Sequence, residues 1–325
     1  MAWKKLRKSV IVNGKLGKSV VPLDELYTHK FSDGDKLSFT ADLKTLSTPD
    51  GCINLRDREG RTFRLPRIWR ESAFENYILP EHLVLLTGAG TETLKSIGEA
   101  HISNYEKFIG LENNMSILEI GSGIGRDVFQ LLKKYPAINF VGIDVTRDSV
   151  QWCKDNITKQ YSNFIFYHFD AYHELYNPLG EKNTNEFEVP VPDNSVDRVF
   201  LGSVFTHLFE PEIRHYLKEI CRILKPKGMV YATFFLYSEE IIKSARKSRR
   251  SHNGLTFEYE HSTGCYVSDP NFPTGSVAYT DELMTSMISD SGLELSRDYL
   301  KGWWSGHFDT WEDGQEVAIL QKSSS

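Results

Sequence analysis

The sequence predicts an α/β fold: a doubly wound, mostly parallel sheet preceded by a small β-rich unit. Three observations predict it. Between residues 116 and 236, short apolar runs of strand length alternate with helix-length amphipathic segments, and that alternation builds a parallel sheet covered on both faces. A glycine loop, Leu118-Glu-Ile-Gly-Ser-Gly-Ile-Gly-Arg126, falls between one such strand and the helix after it. Residues 9–70 instead carry short β-prone runs broken by glycine and Asp-Gly pairs, the punctuation of strands and turns.

The elements follow in chain order. Val10–Val12, Val20-Val21, Leu37–Phe39 and Thr62–Leu65 are the β-prone runs, separated at Gly14, Gly17, Asp33-Gly34, Asp50-Gly51 and Gly60. They set a β-rich unit over residues 1–80, and a larger domain over 81–325. Thr91 to Gly110 has apolar residues at helical spacing. Strands are then expected at Ser116–Ile120, Asn139–Ile143, Phe164–Tyr167, Val196–Gly202 and Met229–Leu236, with helices at Asp127–Tyr135, Arg147–Lys159 and Pro211–Leu224. Proline opens the last helix, and Lys225-Pro-Lys-Gly228 reads as the turn that ends it. After an insertion over residues 237–278, expected to be a lid, a helix runs to Ser291-Gly292. Leu293–Leu295 and Glu316–Leu320 close the chain as two strands.

Composition narrows the function. The 325 residues carry a formal net charge of −6, which argues against a general nucleic-acid binder. No apolar run approaches the roughly 20 residues that span a bilayer, so no membrane span is expected. The basic start, Met1–Lys8, has no apolar run behind it, which reads against a secretory signal. Four scattered cysteines without a C-x-x-C pair fit a reducing, cytoplasmic setting. No compact ligand cluster predicts a metal.

The glycine loop carries the chemistry. Gly121, Gly123 and Gly125 let the backbone turn tightly and approach a ligand, and the next helix aims its first N–H groups there. Asp144 ends the following strand, where a carboxylate can accept both hydroxyls of a ribose; a helix N-cap is the alternative. The dinucleotide pattern is G-x-G-x-x-G. Here the spacing is G-x-G-x-G, with Arg126 at the place of the last dinucleotide glycine and Glu119 just ahead of the first glycine.

This segment resembles motif I of the class I S-adenosylmethionine-dependent methyltransferases. Phe169-Asp-Ala171 resembles the family's acidic adenine-binding motif. Pro192–Gly202 and Leu224–Met229 resemble its fourth strand and the turn before its fifth. The closing strands match its antiparallel last strand. The resemblance implies a Rossmann-like, seven-stranded fold and S-adenosylmethionine as cofactor. It implies cofactor contacts from Glu119, Gly121, Ser122, Gly123, Asp144, Val145, Asp170, Ala171 and Ser203, with Glu119 orienting the loop or the methionyl amine.

Ligands of such sheets bind beyond the carboxyl ends of the strands, so Ser203–Leu208 must border the reacting methyl group. His207 is the first candidate base, or else a packed histidine. His261, in Glu258-Tyr-Glu-His261, is the second. Lys243–Arg250 reads as a solvated helix face or an anion contact. Trp303-Trp304 and Trp311 read as sugar-stacking rings or hairpin core. Asn-Pro-Pro-Tyr, the motif for methylating amino groups of bases, is absent after the fourth strand. A looser likeness to bacterial polysaccharide- and secondary-metabolite-pathway methyltransferases implies a small-molecule or glycan acceptor, methylated on oxygen, with no nucleic acid as partner. The rival readings are a protein or peptide methyltransferase that recognises its target through residues 1–80, a non-catalytic S-adenosylmethionine-binding protein, and a nicotinamide oxidoreductase. Quaternary state does not follow from these features.

Overall fold

The computed structural model describes residues 71–186, 188–248 and 255–323, together with the backbone of five strands nearer the N-terminus. Two of these, β1 (Ser9–Gly14) and β2 (Gly17–Pro22), pair antiparallel. The others, β3 (Thr40–Ala41), β4 (Cys52–Arg56) and β5 (Thr62–Pro66), form an antiparallel three-stranded sheet. The expected run Leu37–Phe39 and the turns at Asp33-Gly34, Asp50-Gly51 and Gly60 lie outside the described residues.

A hairpin of β6 (Glu71–Phe74) and β7 (Tyr77–Pro80) leads into α1 (Glu81–Leu85) and α2 (Thr91–Phe108). Strand and helix then alternate: β8 (Ser116–Ile120), α3 (Val128–Lys134), β9 (Asn139–Asp144), α4 (Arg147–Cys153), β10 (Phe164–His168), β11 (Val196–Leu201), α5 (Glu210–Ile223) and β12 (Leu224–Tyr237). A π-turn over Lys154–Thr158 prolongs α4. Beyond β12 come α6 (Glu239–Lys247), β13 (Tyr259–Ser262), β14 (Cys265–Val267), β15 (Val277–Thr280), α7 (Asp281–Ser289), β16 (Leu293–Leu295) and β17 (Glu316–Lys322).

The central sheet runs β10-β9-β8-β11-β12-β17-β16. Its first five strands are mutually parallel, and β17 lies antiparallel between β12 and β16. This is the expected Rossmann-like seven-stranded sheet with an antiparallel last strand. One face is covered by α5 and α7 through Ile213, Leu217, Ile220, Met284 and Met287. On α5 these residues recur every three or four positions, one helical stripe. The other face is covered by α2, α3 and α4 through Ile102, Tyr105, Phe129 and Val150.

Three departures from the sequence reading have physical causes. First, β12 begins at Leu224, ahead of the expected turn. A register shift between Val196 and Arg198 on β11 lets Pro226 and Gly228 pass with the ladder interrupted. Second, the insertion after β12 is partly sheet. The last residues of β12 pair with β15, which continues into β14 and β13. Third, the β6–β7 hairpin packs on the larger domain. Phe74 and Tyr77 lie against Phe129, and the Trp152 indole donates to the Ile78 carbonyl at 3.2 Å. Phe74 and Leu79 of that hairpin belong to the same core cluster as Ile102 and Phe129.

Phe200 is fully buried on β11 and stacks on Tyr105 with centroids 4.0 Å apart. Truncating such a ring removes its transfer energy and leaves a cavity. Phe200→Ala is expected to cost about 3–5 kcal/mol, read as a lowered urea midpoint with an unchanged slope.

Candidate active site

A cavity of about 480 Å³ opens where β8, β9 and β11 end. There, one connection between consecutive strands leaves the sheet on one side and the next on the other. The glycine loop forms its floor. Gly121 and Gly123 sit at φ +78° and +51°, where a side chain is strained. A Cβ at Gly121 would also stand 2.6 Å from Val204 Cγ2. The loop is pinned to β9 by Asp144: Gly123 N–H donates to its Oδ2 at 2.7 Å, and Thr146 N–H to its Oδ1 at 2.6 Å. A carboxylate offers about four lone-pair positions, so beyond these two bonds Asp144 keeps capacity for two ribose hydroxyls. Burial raises its pKa, and the two N–H donors work against that rise.

Glu119, Ser122, Val145 and Ser203 line the same cavity. Glu119 is buried at the end of β8, and its Oε2 has no hydrogen-bond partner among the described residues. Burial, and then the nearby charge of Asp127, push its pKa well above the ordinary carboxyl value. Asp127 goes the other way. Burial works against its ionisation, but His101 Nδ1 at 3.0 Å, Arg126 and the Tyr105 hydroxyl at 2.9 Å outweigh it and hold the pKa at about 2. Ser203 occupies left-handed backbone at φ +58°, fixed by its N–H to Thr233 Oγ1 at 2.7 Å. Strained backbone of this kind persists where its surroundings over-determine it.

The far end of the cavity holds His207 and Tyr176. His207 Nδ1 lies 2.8 Å from the Thr274 carbonyl. A carbonyl only accepts, so Nδ1 carries the proton and Nε2 accepts from the Tyr176 hydroxyl at 3.3 Å. Burial lowers the His207 pKa, with the Thr274 bond opposing. His173 donates from Nε2 to the His207 carbonyl at 3.2 Å, and its Nδ1 accepts from the amides of Leu175 and Tyr176. Burial and His207 lower its pKa to about 4. Both rings are therefore neutral at physiological pH.

Three expected site residues lie outside the cavity lining. Asp170 accepts from Asn177 Nδ2 at 2.9 Å and holds the loop that carries Tyr176. Ala171 is buried beneath it. His261 sits on the exposed hairpin strand β13 and stacks on Phe209 at 4.2 Å, because that hairpin extends the sheet. Trp304 is hairpin core, packed on Phe235 and donating to Glu316 at 2.7 Å. On α6, Lys243, Arg246 and Lys247 are exposed, the solvated face; Arg249 and Arg250 lie outside the described residues. The sequence reading missed His173, Thr274 and Gln315. The signal available was position alone: each lies in a segment that borders the carboxyl ends of the strands.

A doubly wound sheet with an antiparallel last strand, a glycine loop, an unpartnered buried acid beside it and an acid at the end of β9 defines a methyltransferase of the S-adenosylmethionine-dependent class I. A methyltransferase-domain family model, Methyltransf_31, matches residues 111–285, and the chain belongs to that family. Its cofactor is S-adenosylmethionine. The residues fit that group: Glu119 has a spare oxygen, Asp144 spare lone pairs, and the loop between them no side chains at its turns.

Among curated relatives, the chain is 23% identical over 184 residues to "tRNA N(3)-cytidine methyltransferase METTL6" of Pongo abelii, covering 56% of this chain and 57% of that one. It is 27% identical over 129 residues to "tRNA N(3)-cytidine methyltransferase METTL2" of Gallus gallus, covering 39% and 32%. It is 26% identical over 144 residues to a "tRNA (guanine-N(7)-)-methyltransferase" of Pediococcus pentosaceus, covering 44% and 56%. The chain thus matches between about a third and somewhat more than half of these relatives' lengths. A TehB-like S-adenosylmethionine-dependent methyltransferase of Corynebacterium glutamicum is similar in structure, with a TM-score of 0.44 at 15% identity, covering 75% of this chain and all of the other.

These relatives overturn one expectation. A small-molecule or glycan acceptor with no nucleic acid does not agree with relatives named for tRNA. The net charge was a poor guide because it sums the whole surface, whereas a contact needs only local charge. The missing Asn-Pro-Pro-Tyr motif concerns amino groups of bases, and the relatives are named for ring nitrogens.

Two outcomes are expected. A cofactor ammonium placed beside Glu119 favours its carboxylate, so S-adenosylhomocysteine binding near neutral pH should release a proton. Calorimetry in buffers of different ionisation enthalpy reads that release, and Glu119→Gln should abolish it. Asp144→Asn keeps the shape but loses acceptor capacity, and should weaken binding by about tenfold or more.

Proposed function

We propose that this chain transfers the methyl group of S-adenosylmethionine to a ring nitrogen of an RNA base, with tRNA as the first RNA to test. The observation that carries the reading is the neutral Tyr176–His207 pair at the acceptor end of the cavity, taken with relatives named for cytidine N3 and guanine N7. A ring nitrogen of that kind attacks through an in-plane lone pair and has no proton to lose. Its product is a cation. The positive charge that leaves the sulfonium reappears on the base, and a charged imidazole in the same buried space would oppose it. Burial keeps His207 and His173 neutral, which removes that opposition.

In this reading the chain's residues hold and orient. Glu119, Asp144 and the glycine loop hold the cofactor, which supplies the methyl group. Tyr176 and His207 present a hydroxyl and a ring edge to the acceptor, and the Thr274 carbonyl fixes the ring's tautomer. His207 is then a positioning residue, and no general base is needed. Approach in line and exclusion of water supply the acceleration.

The test incubates the full chain with methyl-labelled cofactor and bulk tRNA, then digests the RNA to nucleosides for mass spectrometry. Label in a methylated base supports the reading. RNA left unlabelled by a protein that binds S-adenosylhomocysteine overturns the acceptor and leaves the cofactor standing. Activity should rise with pH through a His207 pKa below the ordinary 6.5 and be level by neutrality. His207→Asn should remove that acid limb and lower kcat about tenfold to a hundredfold.

A further inference from the structure

The amino-acid end of the cofactor carries a carboxylate as well as an amine, and the cavity presents two unsatisfied donors beside Glu119. One belongs to Gln315, the residue just before β17. Its Oε1 accepts from Thr233 Oγ1 at 2.6 Å and from Ser203 Oγ at 3.2 Å. Thr233 Oγ1 already accepts from Ser203 N–H, so its own proton goes to Gln315. That network fixes which end of the carboxamide is oxygen. The N–H₂ end has no hydrogen-bond partner among the described residues, and Gln315 lines the cavity.

The other belongs to Arg126. Its Nη1 donates to the Thr87 carbonyl at 3.1 Å, and its Nε faces Asp127 Oδ1 at 3.4 Å. Its Nη2 makes no hydrogen bond among the described residues. A Cβ built on Gly202 would lie 3.9 Å from that nitrogen. Gly202 adjoins Ser203, the residue bonded to Gln315, so both donors border one corner of the cavity. The Arg126 charge also acts on Glu119. A cation, an amide and an unpartnered carboxyl lining one cavity match an ammonium next to a carboxylate.

We propose that Arg126 Nη2 and the Gln315 amide together bind the carboxylate of the cofactor's methionyl group. The proposal rests on the cofactor alone and not on the identity of the acceptor. Guanidinium and amide donors on a carboxylate are charge-assisted hydrogen bonds, and each is strengthened by burial.

The experiment titrates the full chain calorimetrically with three ligands: S-adenosylhomocysteine, its decarboxylated analogue, and 5′-methylthioadenosine, which lacks the whole amino-acid end. The wild type should prefer the first over the second by about tenfold to a hundredfold. Gln315→Glu keeps the oxygen that Thr233 and Ser203 bond, and replaces the donor with a negative group. It should lower S-adenosylhomocysteine affinity at least about tenfold and leave 5′-methylthioadenosine unchanged. Arg126→Gln should also narrow the preference for the carboxylated ligand. An unchanged S-adenosylhomocysteine affinity in Gln315→Glu overturns the proposal, and so does a loss shared equally by all three ligands.

Discussion

Two carboxyl groups buried at either end of one glycine loop set the terms for everything near it. Both are buried, and the charge of Asp127 adds to the cost of ionising Glu119. The protein resolves the conflict by giving every donor to one of them. Asp127 receives His101 and Tyr105 from α2 and the guanidinium of Arg126. Glu119 receives none among the described residues; its Oε2 is buried without a partner, and the residue lines the cavity. The long helix α2 is thus more than a cover for the sheet. It supplies the two donors that let one acid stay ionised in the core, so that the other is left for a ligand.

The site is assembled from segments far apart in the chain, and the antiparallel strand β17 is what closes it. Because β17 runs against its neighbours, its first residues arrive where the parallel strands end. Gln315 therefore meets Ser203 and Thr233 at the cavity wall. A parallel strand in that place would bring its last residues to the mouth instead, and the chain would have to leave the sheet on the ligand's side. The part of the lining around Tyr176 depends on a chain of hydrogen bonds. Asp170 holds Asn177, the loop so formed carries Tyr176, and Tyr176 meets a histidine that Thr274 orients.

What was legible in the sequence was what local spacing encodes. The glycine loop, Asp144 and the strand–helix alternation are short-range patterns, and the resemblance of residues 118–126 to a known motif made the cofactor's identity readable. The acceptor half depends on which loops converge, and no local pattern states that. His173 sits among turn residues with nothing to mark it, and Thr274 contributes only a backbone carbonyl. His261 looked suitable because it is a histidine in an insertion, but its neighbours pair as an outer hairpin and carry it away. Lys225-Pro-Lys-Gly228 looked like a turn because proline and glycine favour one, and a bulge let the ladder absorb both. The acceptor expectation disagrees with the relatives' names for a different reason: net charge and a missing motif each describe only one kind of nucleic-acid contact.

The length of β12 has a consequence for how such a protein can change. Its first part pairs with β11 and β17 inside the catalytic sheet, and its last three residues pair with β15, which leads to β14 and β13. The wall that supplies Gly275 and Ser276 to the cavity is in this way an outgrowth of a strand end. Between Tyr237 and Val277 the chain could be exchanged for another excursion of different size or chemistry. The register of the strands that hold Glu119, Asp144 and Gln315 would not shift. A fold built this way can vary the excursion that walls the cavity and keep the sheet that carries the glycine loop.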